Sequence, residues 1–375
     1  MFWQHEYVRE AVSMTLNDVY RLDLPEHGLL GSLFFRISGS QASGYGQAAA
    51  DWRIIDEISK VEIIADGSTV IKSLTGYELQ ALATWDQGII PPGAWKNYAT
   101  NTQWEHMLLN FGRKMFDVEY GLDLSRFKNI ELKVTNTATS SDFSDLTISV
   151  LGLYLRDSPA GTFRGYLRTE EWRSWTTVAD ETQYLDLPVE HIIRRILLQA
   201  IPSIDSAEVE STNMLNLMDD IEHSLDTGQV RMFKGGIDDL MRINALHLGV
   251  PLIVAGSHYM SADQGVDISL GYVGGGAWGA GSQDGAGAAV IATMETGRTS
   301  FTQKPETYEA DSPIGFMFLG IAPFLTAVLH HDPTPDPLTW LNPQQRATVE
   351  LNIHTRNASS AASGRNAVVL DRLVT

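Results

Sequence analysis

Hydrophobic and polar residues alternate along several short stretches of the chain. Residues 60–65 read KVEIIA, and residues 130–134 read IELKV. Alternation with a period of two predicts strands that have one apolar face and one polar face. Asp66 and Gly67 directly follow the first stretch, and an Asp-Gly pair between apolar runs is a strong hairpin signal. Residues 147–155 (TISVLGLYL) are more continuously apolar, which is typical of a strand covered on both faces.

Two segments, one in each half of the chain, share the motif Leu-Asp-Leu-Pro directly before an apolar run. Residues 20–37 read YRLDLPEHGLLGSLFFRI, and residues 183–200 read QYLDLPVEHIIRRILLQA. The two motifs begin at Leu22 and Leu185, which are 163 residues apart. A single four-letter match arises by chance about once in a chain of this length. The motif alone therefore does not establish a repeat.

Two further pairs of segments follow in the same order. Residues 56–82 and residues 219–243 each read as a strand, a turn that contains glycine, a second strand and a short helix. Residues 129–155 resemble residues 348–374 at an offset of 219 residues. Because the first pair of segments has an offset of 163, the second copy contains about 56 residues more than the first. Three ordered pairs are poorly explained by chance and predict an internal duplication.

These patterns predict an all-β chain made of two tandem eight-stranded jelly rolls, a double jelly roll, with few short helices. We expect the chain to divide into an N-terminal arm at residues 1–19, a first jelly roll at residues 20–157 and a second at residues 158–375, with enlarged loops at about 250–340. The duplicated copies are therefore predicted to differ in size.

A few segments are predicted to be helices rather than strands. Residues 2–13 are expected to form an amphipathic arm, and residues 76–84 and 236–245 a short helix in each copy. Residues 189–198 fit either a helix or a strand, and their match to residues 29–37 favours a strand.

Other segments are predicted to be loops or to turn sharply. The glycine-rich residues 38–50 and 271–288 are expected to form surface loops. Residues 314–329 are apolar, but they are fewer than the roughly 20 residues that cross a bilayer. Pro323 interrupts them, which predicts two buried strands joined at the proline.

Composition narrows the functional classes. Hydrophobic residues make up 43% and charged residues 19% of the chain, which is typical of a globular protein. The net charge of −19 argues against direct nucleic-acid binding, which depends on clustered Lys and Arg. The absence of cysteine excludes disulfides and cysteine-based metal or redox sites. Glu6, Arg9 and Glu10 interrupt the N-terminal apolar residues, so no secretion signal is predicted.

The duplicated segments carry a resemblance to a known family. The Leu-Asp-Leu-Pro blocks, residues 56–82 with their counterpart at 219–243, and the paired closing segments resemble the double jelly-roll major capsid proteins. This lineage includes tectiviruses, corticoviruses, lipid-containing archaeal viruses and, more distantly, the adenovirus hexon. The resemblance implies homotrimers with a pseudo-sixfold outline that tile an icosahedral virus shell, often around a membrane.

The same resemblance implies partners and a location. The expected partners are further copies of the chain, neighbouring trimers, and penton and minor capsid proteins. The expected location is the virion of a bacteriophage or archaeal virus, after synthesis in the host cytoplasm. The enlarged loops of the second jelly roll are expected to form an outward tower.

Five aromatic or apolar residues are candidates for interaction. Members of this family often place an N-terminal helix at the inner surface of the shell, which makes Phe2, Trp3, Tyr7 and Val8 candidates for contact with an internal viral membrane or a neighbouring subunit. Packing of the arm on its own subunit is the alternative for each of them. Trp278 lies in the second glycine-rich stretch, and an exposed aromatic residue on a loop can anchor a partner.

The sequence offers no pattern for catalysis, a cofactor or a metal, and the chain is expected not to be an enzyme. A double cupin, the nearest enzymatic form, requires a His-x-His pair, and His330 and His331 are instead adjacent. Neighbouring residues on a strand point to opposite faces, so a strand-end or loop position is predicted for this pair. A carbohydrate-binding or carbohydrate-active double sandwich and a viral spike or adhesin remain the alternative functions.

Overall fold

The structure is a computed structural model. It describes residues 1–42, 53–94, 96–97, 102–159, 161–202, 214, 217–248, 252–259, 267–270, 273–274, 278–282, 299–302, 313–320, 322–355 and 364–375. Within these ranges the chain is built mainly from strands, as predicted, with three α-helices. Also within them, no helix is both long enough and apolar enough to cross a bilayer.

The described residues of the first half form eleven strands and two α-helices. The strands are β1 (Phe2–Met14), β2 (Val19–Asp23), β3 (Leu29–Gln41), β4 (Ile58–Ala65), β5 (Thr69–Leu74), β6 (Gly93–Ala94), β7 (Lys96–Asn97), β8 (Thr102–Asn110), β9 (Leu122–Asp123), β10 (Ile130–Asn136) and β11 (Phe143–Arg156). The helices are α1 (Ile54–Glu57) and α2 (Gly76–Gln87).

The second half contains the remaining described strands and one helix. The strands are β12 (Tyr166–Thr176), β13 (Thr182–Asp186), β14 (Ile192–Pro202), β15 (Asp220–Leu225), β16 (Val230–Gly236), β17 (Leu252–Tyr259), β18 (Asp267–Leu270), β19 (Val273–Gly274), β20 (Trp278–Ser282), β21 (Thr299–Thr302), β22 (Pro313–Gly320), β23 (Ala322–Pro323), β24 (Thr326–His330), β25 (Val349–His354) and β26 (Gly364–Val374). The helix is α3 (Ile237–Leu248).

Each half forms two antiparallel sheets with the same strand order. In the first half the orders are β1-β11-β3-β8 and β2-β10-β4-β5, and in the second they are β12-β26-β14-β24 and β13-β25-β15-β16. Short β6 extends the first sheet beyond β8, and β9 pairs with β3. Two four-stranded antiparallel sheets of this order around one core form a jelly roll. The chain is therefore a double jelly roll, as the sequence predicts.

The pairing register also repeats, including its irregularities. Leu33 lies opposite Gly152, and Ile196, 163 residues after Leu33, lies opposite Leu370. Three bulges fall at corresponding places in the two halves. The bulge between β1 and β11 corresponds to the one between β12 and β26, and the bulge between β3 and β11 corresponds to the one between β14 and β26. The bulge between β4 and β5 corresponds to the one between β15 and β16. Because a bulge marks a specific extra residue in a strand, these matches confirm the predicted duplication.

The local signals identified in the sequence form the turns and helix ends that join these strands. Asp66 and Gly67 connect β4 to β5 with φ angles of 50° and 74°, which is the left-handed conformation that a tight hairpin needs. Thr75 caps α2, because its side chain accepts a hydrogen bond from the Glu78 backbone while the Glu78 side chain accepts one from the Thr75 backbone. Gly88 ends the helix with φ of 74°.

Several predictions for individual segments are confirmed. The helices expected at residues 76–84 and 236–245 are α2 and α3, and the ambiguous residues 189–198 belong mainly to strand β14. The described part of the apolar residues 314–329 lies in strands β22, β23 and β24; β23 ends at Pro323, and a turn at Phe324 and Leu325 leads into β24. The side chains of β24 are buried except at its end; those of β22 lie outside the described set.

The prediction of a helical N-terminal arm is wrong. Residues 2–14 form strand β1, which pairs antiparallel with β11 and is the edge strand of the first sheet. The strand carries irregularities around Val8 and again before Val12, and Ala11 has a φ of 47°. These irregularities break the alternation of apolar and polar residues, so the sequence of a strand takes on a helix-like spacing.

Strands occupy parts of the two segments that were predicted to be loops. Strand β3 continues to Gln41, so residues 38–41 are strand rather than loop, and residues 43–50 lie outside the described residues. Within the stretch 271–288, the described residues form the short strands β19 and β20; the others lie outside the described residues. Glycine-rich composition alone does not separate a loop from a strand that pairs through its backbone.

Candidate functional site

The two jelly rolls are joined through the backbone of one strand from each. Strand β5 lies parallel to β12, with Lys72 opposite Thr169 and Ser73 opposite Glu170. Lys72 Nζ also donates a hydrogen bond to Thr169 Oγ1 at 2.7 Å. This pairing merges one sheet of each jelly roll into a single eight-stranded sheet. We call the contact between the two jelly rolls, centred on β5, β12 and α2, the internal junction.

Helix α2 of the first jelly roll packs against the second one. Trp85 is 6% exposed, and its Nε1 donates a hydrogen bond to Thr326 Oγ1 of β24 at 3.0 Å. The ring of Tyr77 meets the ring of Phe324 edge-on, with 6.3 Å between their centroids. Phe324 and residues of β14, β24 and β26 belong to the hydrophobic core of the first jelly roll. The internal junction is therefore continuous with that core.

A cluster of six ionic side chains lies at the internal junction and is shared by both jelly rolls. Three are positive and three are negative: Lys72, Arg194, Arg195, Asp86, Asp332 and Asp371. Arg194 Nη1 donates to Asp86 Oδ1 at 3.0 Å and to Asp371 Oδ2 at 3.3 Å. Arg195 Nε donates to Asp371 Oδ2 at 3.1 Å, and its Nη2 contacts Asp86. The cluster is therefore balanced in charge.

Burial and mutual attraction set the protonation of this cluster. Burial lowers the pKa of Lys72 to about 8, although Asp371 and Asp86 attract its charge. Burial would raise the pKa of Asp371, but Arg195 and Arg194 outweigh that effect and hold it below the ordinary value of 3.8. Buried charges that pair with one another are suited to holding two parts of a chain in one orientation.

Four histidines lie near the end of β24. The rings of His223 and His331 are 5.1 Å apart, and those of His247 and His330 stack at 4.2 Å. Burial and, to a smaller extent, the neighbouring His223 lower the pKa of His331 to about 3, against the effect of Asp332. His330 is the last residue of β24, which confirms the predicted strand-end position. In the part of the chain that the structure describes, no cluster of His, Asp and Glu could hold a metal ion.

The structure places the four predicted N-terminal residues on β1 and separates their environments. Phe2 and Tyr7 are 52% and 53% exposed. Trp3 is half-buried, because its ring lies over Gly31 and meets the ring of Phe116 edge-on at 5.7 Å. Val8 is partly buried and packs against the first core. Phe2 and Tyr7 are therefore the members of the set that offer free apolar surface.

The fifth predicted residue, Trp278, begins strand β20, which pairs with β22. Its side chain lies outside the described set. Sequence reasoning missed the ionic cluster altogether. A signal was present, because Arg194 and Arg195 interrupt an apolar run at the positions that Gly31 and Ser32 occupy in the first copy. Two arginines inside a predicted buried strand require partners.

The edge strands β1 and β16 and one face of helix α3 are exposed in the described part of the chain. Strands β1 and β16 each lie at the end of their sheets. On α3, Ile243 and Leu246 are 55% and 85% exposed. Large exposed apolar side chains on a regular element mark an interaction surface more often than single scattered ones do. These elements are therefore the candidate contact surfaces of the molecule.

Comparison with known proteins bears on the fold. No protein-family model and no curated protein matches the sequence. The chain is similar to the STIV MCP, from Sulfolobus Turreted Icosahedral Virus, with a TM-score of 0.60 and 11% identity over 99% of this chain and 96% of that chain. It is also similar to the PBCV-1 virus capsid, with a TM-score of 0.58 and 10% identity over 99% of this chain and 94% of that chain.

A third similar structure is the major capsid protein P2 from bacteriophage PM2. Its TM-score is 0.52, with 11% identity over 100% of this chain and 98% of that chain. The similarity thus covers nearly the whole length of each partner while little of the sequence is shared. The chain has the same double jelly-roll fold as these three structures.

Proposed function

We propose that this chain is the major capsid protein of an icosahedral virus and that it assembles as a homotrimer with a pseudo-sixfold outline. The observation that carries the proposal is the repeat of strand order, register and bulges in the two halves. Three copies of such a chain supply six similar jelly rolls, and closed threefold symmetry turns them into a unit that tiles a hexagonal lattice. The fold shared with three viral capsid structures supports the proposal.

The features of the internal junction suit a shell protein. A shell subunit must keep its two jelly rolls in one orientation so that every copy presents the same outline to its neighbours. The eight-stranded sheet, the balanced ionic cluster and the packing of α2 all couple the two halves of this chain. The chain thus has the rigid two-part form that the proposed lattice requires.

Further parts of the proposal concern boundaries and partners. The first jelly roll comprises residues 20–157 together with β1, and the second comprises residues 158–375. The enlarged segment at about 250–340 forms the outward feature of the shell, with Trp278 as a contact residue. The partners are neighbouring trimers and penton and minor capsid proteins in the virion, after synthesis in the host cytoplasm. The net charge of −19 supports a wall around the genome rather than a binder of nucleic acid.

The N-terminal residues have two candidate partners in this proposal. Phe2 and Tyr7 lie on an edge strand, and an edge strand offers unpaired backbone groups to another protein chain. A neighbouring subunit is therefore the partner that we propose for them, and an internal membrane is the other candidate. Binding of the purified protein to lipid vesicles would favour the membrane.

Light scattering coupled to size-exclusion chromatography, followed by electron microscopy, tests the function. The expected result is a stable trimer that forms hexagonal arrays or closed shells at high concentration. A chain that stays monomeric at every concentration would overturn the proposal.

A further inference from the structure

The internal junction has two sides, and each side has a counterpart elsewhere in the chain. One side consists of β5 and α2, and the other consists of the sheet β12-β26-β14-β24. Because the two jelly rolls share one register, β16 and α3 correspond to the first side, and the sheet β1-β11-β3-β8 corresponds to the second. Within the described residues these counterparts do not contact each other through strand pairing.

The helix side shows a clear contrast in burial. Both α2 and α3 have 12 residues, and each begins directly after its hairpin. Leu246 occupies the position of Trp85, 161 residues later in the chain, and Ile243 occupies the position of Leu82. Trp85 and Leu82 are 6% and 2% exposed, whereas Leu246 and Ile243 are 85% and 55% exposed. The face that α2 buries against the second jelly roll is therefore apolar and uncovered on α3.

The sheet side shows a smaller difference in burial in the same direction. Leu197 and Val369, on the face of the second jelly roll that α2 covers, are fully buried in the first core. Their counterparts by register are Phe34 and Leu151, which are only half-buried. The ring of Phe34 stacks on His106 at 4.9 Å. The first jelly roll therefore presents an apolar and aromatic face at the place where the second one receives a helix.

The free edges carry complementary charges. At the internal junction Ser73 of β5 lies opposite Glu170 of β12. The counterpart of Ser73 is Lys234 on β16, and the counterpart of Glu170 is Glu6 on β1. The side chains of Lys234 and Glu6 are 57% and 52% exposed. Pairing the two free edges in the register of the internal junction therefore places a lysine opposite a glutamate.

From these three correspondences we propose that β16 and α3 of one copy dock onto β1 and the outer face of β11, β3 and β8 of a second copy. The contact repeats the internal junction between chains: β16 lies parallel to β1, Lys234 faces Glu6, and Leu246 enters the aromatic face around Phe34. The inference rests on the proposed function and specifies its subunit contact. Two different surfaces are joined head to tail, and such a contact closes into a ring of three copies.

Disulfide trapping tests the register directly, because the sequence contains no cysteine. The double variant Glu6→Cys with Lys234→Cys places two thiols on facing strand residues, within the reach of a disulfide. After mild oxidation we expect dimers and trimers on a non-reducing gel. The matched control is Ser73→Cys with Glu170→Cys, which carries the same pair at the internal junction and should remain at the mass of one chain. An equimolar mixture of the two single variants Glu6→Cys and Lys234→Cys should give dimers only.

Charge and contact variants test the same surface without a cross-link. Leu246→Glu should raise the apparent dissociation constant of the trimer roughly 30-fold or more, since it buries a charge in an apolar contact. Glu6→Lys and Lys234→Glu should each weaken assembly about fivefold, and the double swap should restore most of it. Leu338→Glu changes a leucine that is 91% exposed outside these surfaces and should leave assembly unchanged. Circular dichroism should show a native fold for every variant.

The outcomes separate this inference from the proposed function. Wild-type trimers or shells, combined with unimpaired assembly of Leu246→Glu and no cross-linking of the Glu6 and Lys234 cysteine pair, would overturn the inference and leave the capsid function standing. A wild-type chain that never associates would overturn the proposed function itself. Cross-linked trimers together with a monomeric Leu246→Glu variant would support both.

Discussion

The two jelly rolls share a backbone and differ in the side chains at the surface where they meet. Five of the six charged junction residues are Lys72, Asp86, Arg194, Arg195 and Asp371. Their counterparts, in the same order, are Phe233, His247, Gly31, Ser32 and Leu153. The charges are buried at the internal junction. The counterparts carry no carboxylate, lysine or arginine. The same fold therefore supports an ionic surface at the internal junction and a largely apolar surface at its uncovered counterparts.

The difference follows from how each surface is covered. Within one chain, buried ion pairs lose their hydration once, during folding, while the chain connection already holds the partners close. Association of separate copies must overcome the loss of translational and rotational freedom as well as desolvation. An apolar surface lowers the desolvation cost of this association. The exposed charges of Glu6 and Lys234 lie at the sheet edges, where charges contribute mainly to orientation and to the rate of association.

The largest expected effect comes from breaking the balance of the ionic cluster. Asp371→Asn removes one of three negative charges and leaves three positive charges in place. The free energy of unfolding should fall by about 3 to 5 kcal/mol, the usual cost of leaving a buried charge without its partner. Chemical denaturation followed by tryptophan fluorescence measures the change.

A matched exposed ion pair provides the control for this variant. Glu131→Gln removes the partner of Arg21 and Lys133, whose side chains are 57% and 20% exposed, and should cost at most about 1 kcal/mol. Equal effects of the two substitutions would show that the buried cluster does not hold the jelly rolls together.

A smaller effect is expected from making α2 resemble α3. Trp85→Leu places at the internal junction the residue that α3 has at the same position. It removes the hydrogen bond to Thr326 and leaves a cavity beside β24. The free energy of unfolding should fall by about 2 to 3 kcal/mol.

Leu246→Ala is the reciprocal substitution on α3. Measured at concentrations where the chain is monomeric, it should change the free energy of unfolding by less than about 0.5 kcal/mol, because Leu246 is 85% exposed. A cost for Leu246→Ala as large as that for Trp85→Leu would show that the two helix faces are equally covered within one chain.

The duplicated β fold could be predicted because its signals are local and occur twice. The Leu-Asp-Leu-Pro blocks end strands β2 and β13, where Leu22 and Leu185 are buried and the aspartates point outward. The Asp-Gly pair forms the hairpin between β4 and β5. Each of these features depends on a few neighbouring residues. Agreement between the two copies then decided cases such as strand β14, for which periodicity alone allowed two answers.

The candidate site could not be predicted in the same way. Members of the ionic cluster are separated by up to 299 residues, from Lys72 to Asp371, and only the packing of two jelly rolls brings them together. The free face of α3 is apparent only by comparing its burial with that of α2. At the N terminus the bulges of β1 break the period-two pattern by which a strand is predicted. Long-range packing and irregular backbone are the two features that local patterns do not carry.

The last expected effect concerns pH and the histidines, which again distinguish the second jelly roll from the first. Burial lowers the pKa of His331 to about 3 from an ordinary value of 6.5, with His223 and His330 adding to the shift and Asp332 opposing it. Between these two values the unfolded chain binds more protons than the folded one. The stability from neutral His331 is therefore complete above about pH 6.5 and is lost as the pH falls, by up to about 1.4 kcal/mol per unit.

Glu78 at the internal junction acts in the opposite direction. Burial and the nearby Glu171 raise its pKa to about 7 from 4.5, against the attraction of Arg365, so its stabilising contribution is present at low pH and is lost as the pH rises towards 7. Glu78 is present in every variant, so comparing variants with the wild type cancels its contribution to the pH dependence. His331→Gln should flatten the decline of the melting temperature between pH 6.5 and 5, whereas His27→Gln, at an exposed position, should leave it unchanged. Parallel curves for wild type and His331→Gln would mean that His331 does not limit the acid stability of the second jelly roll.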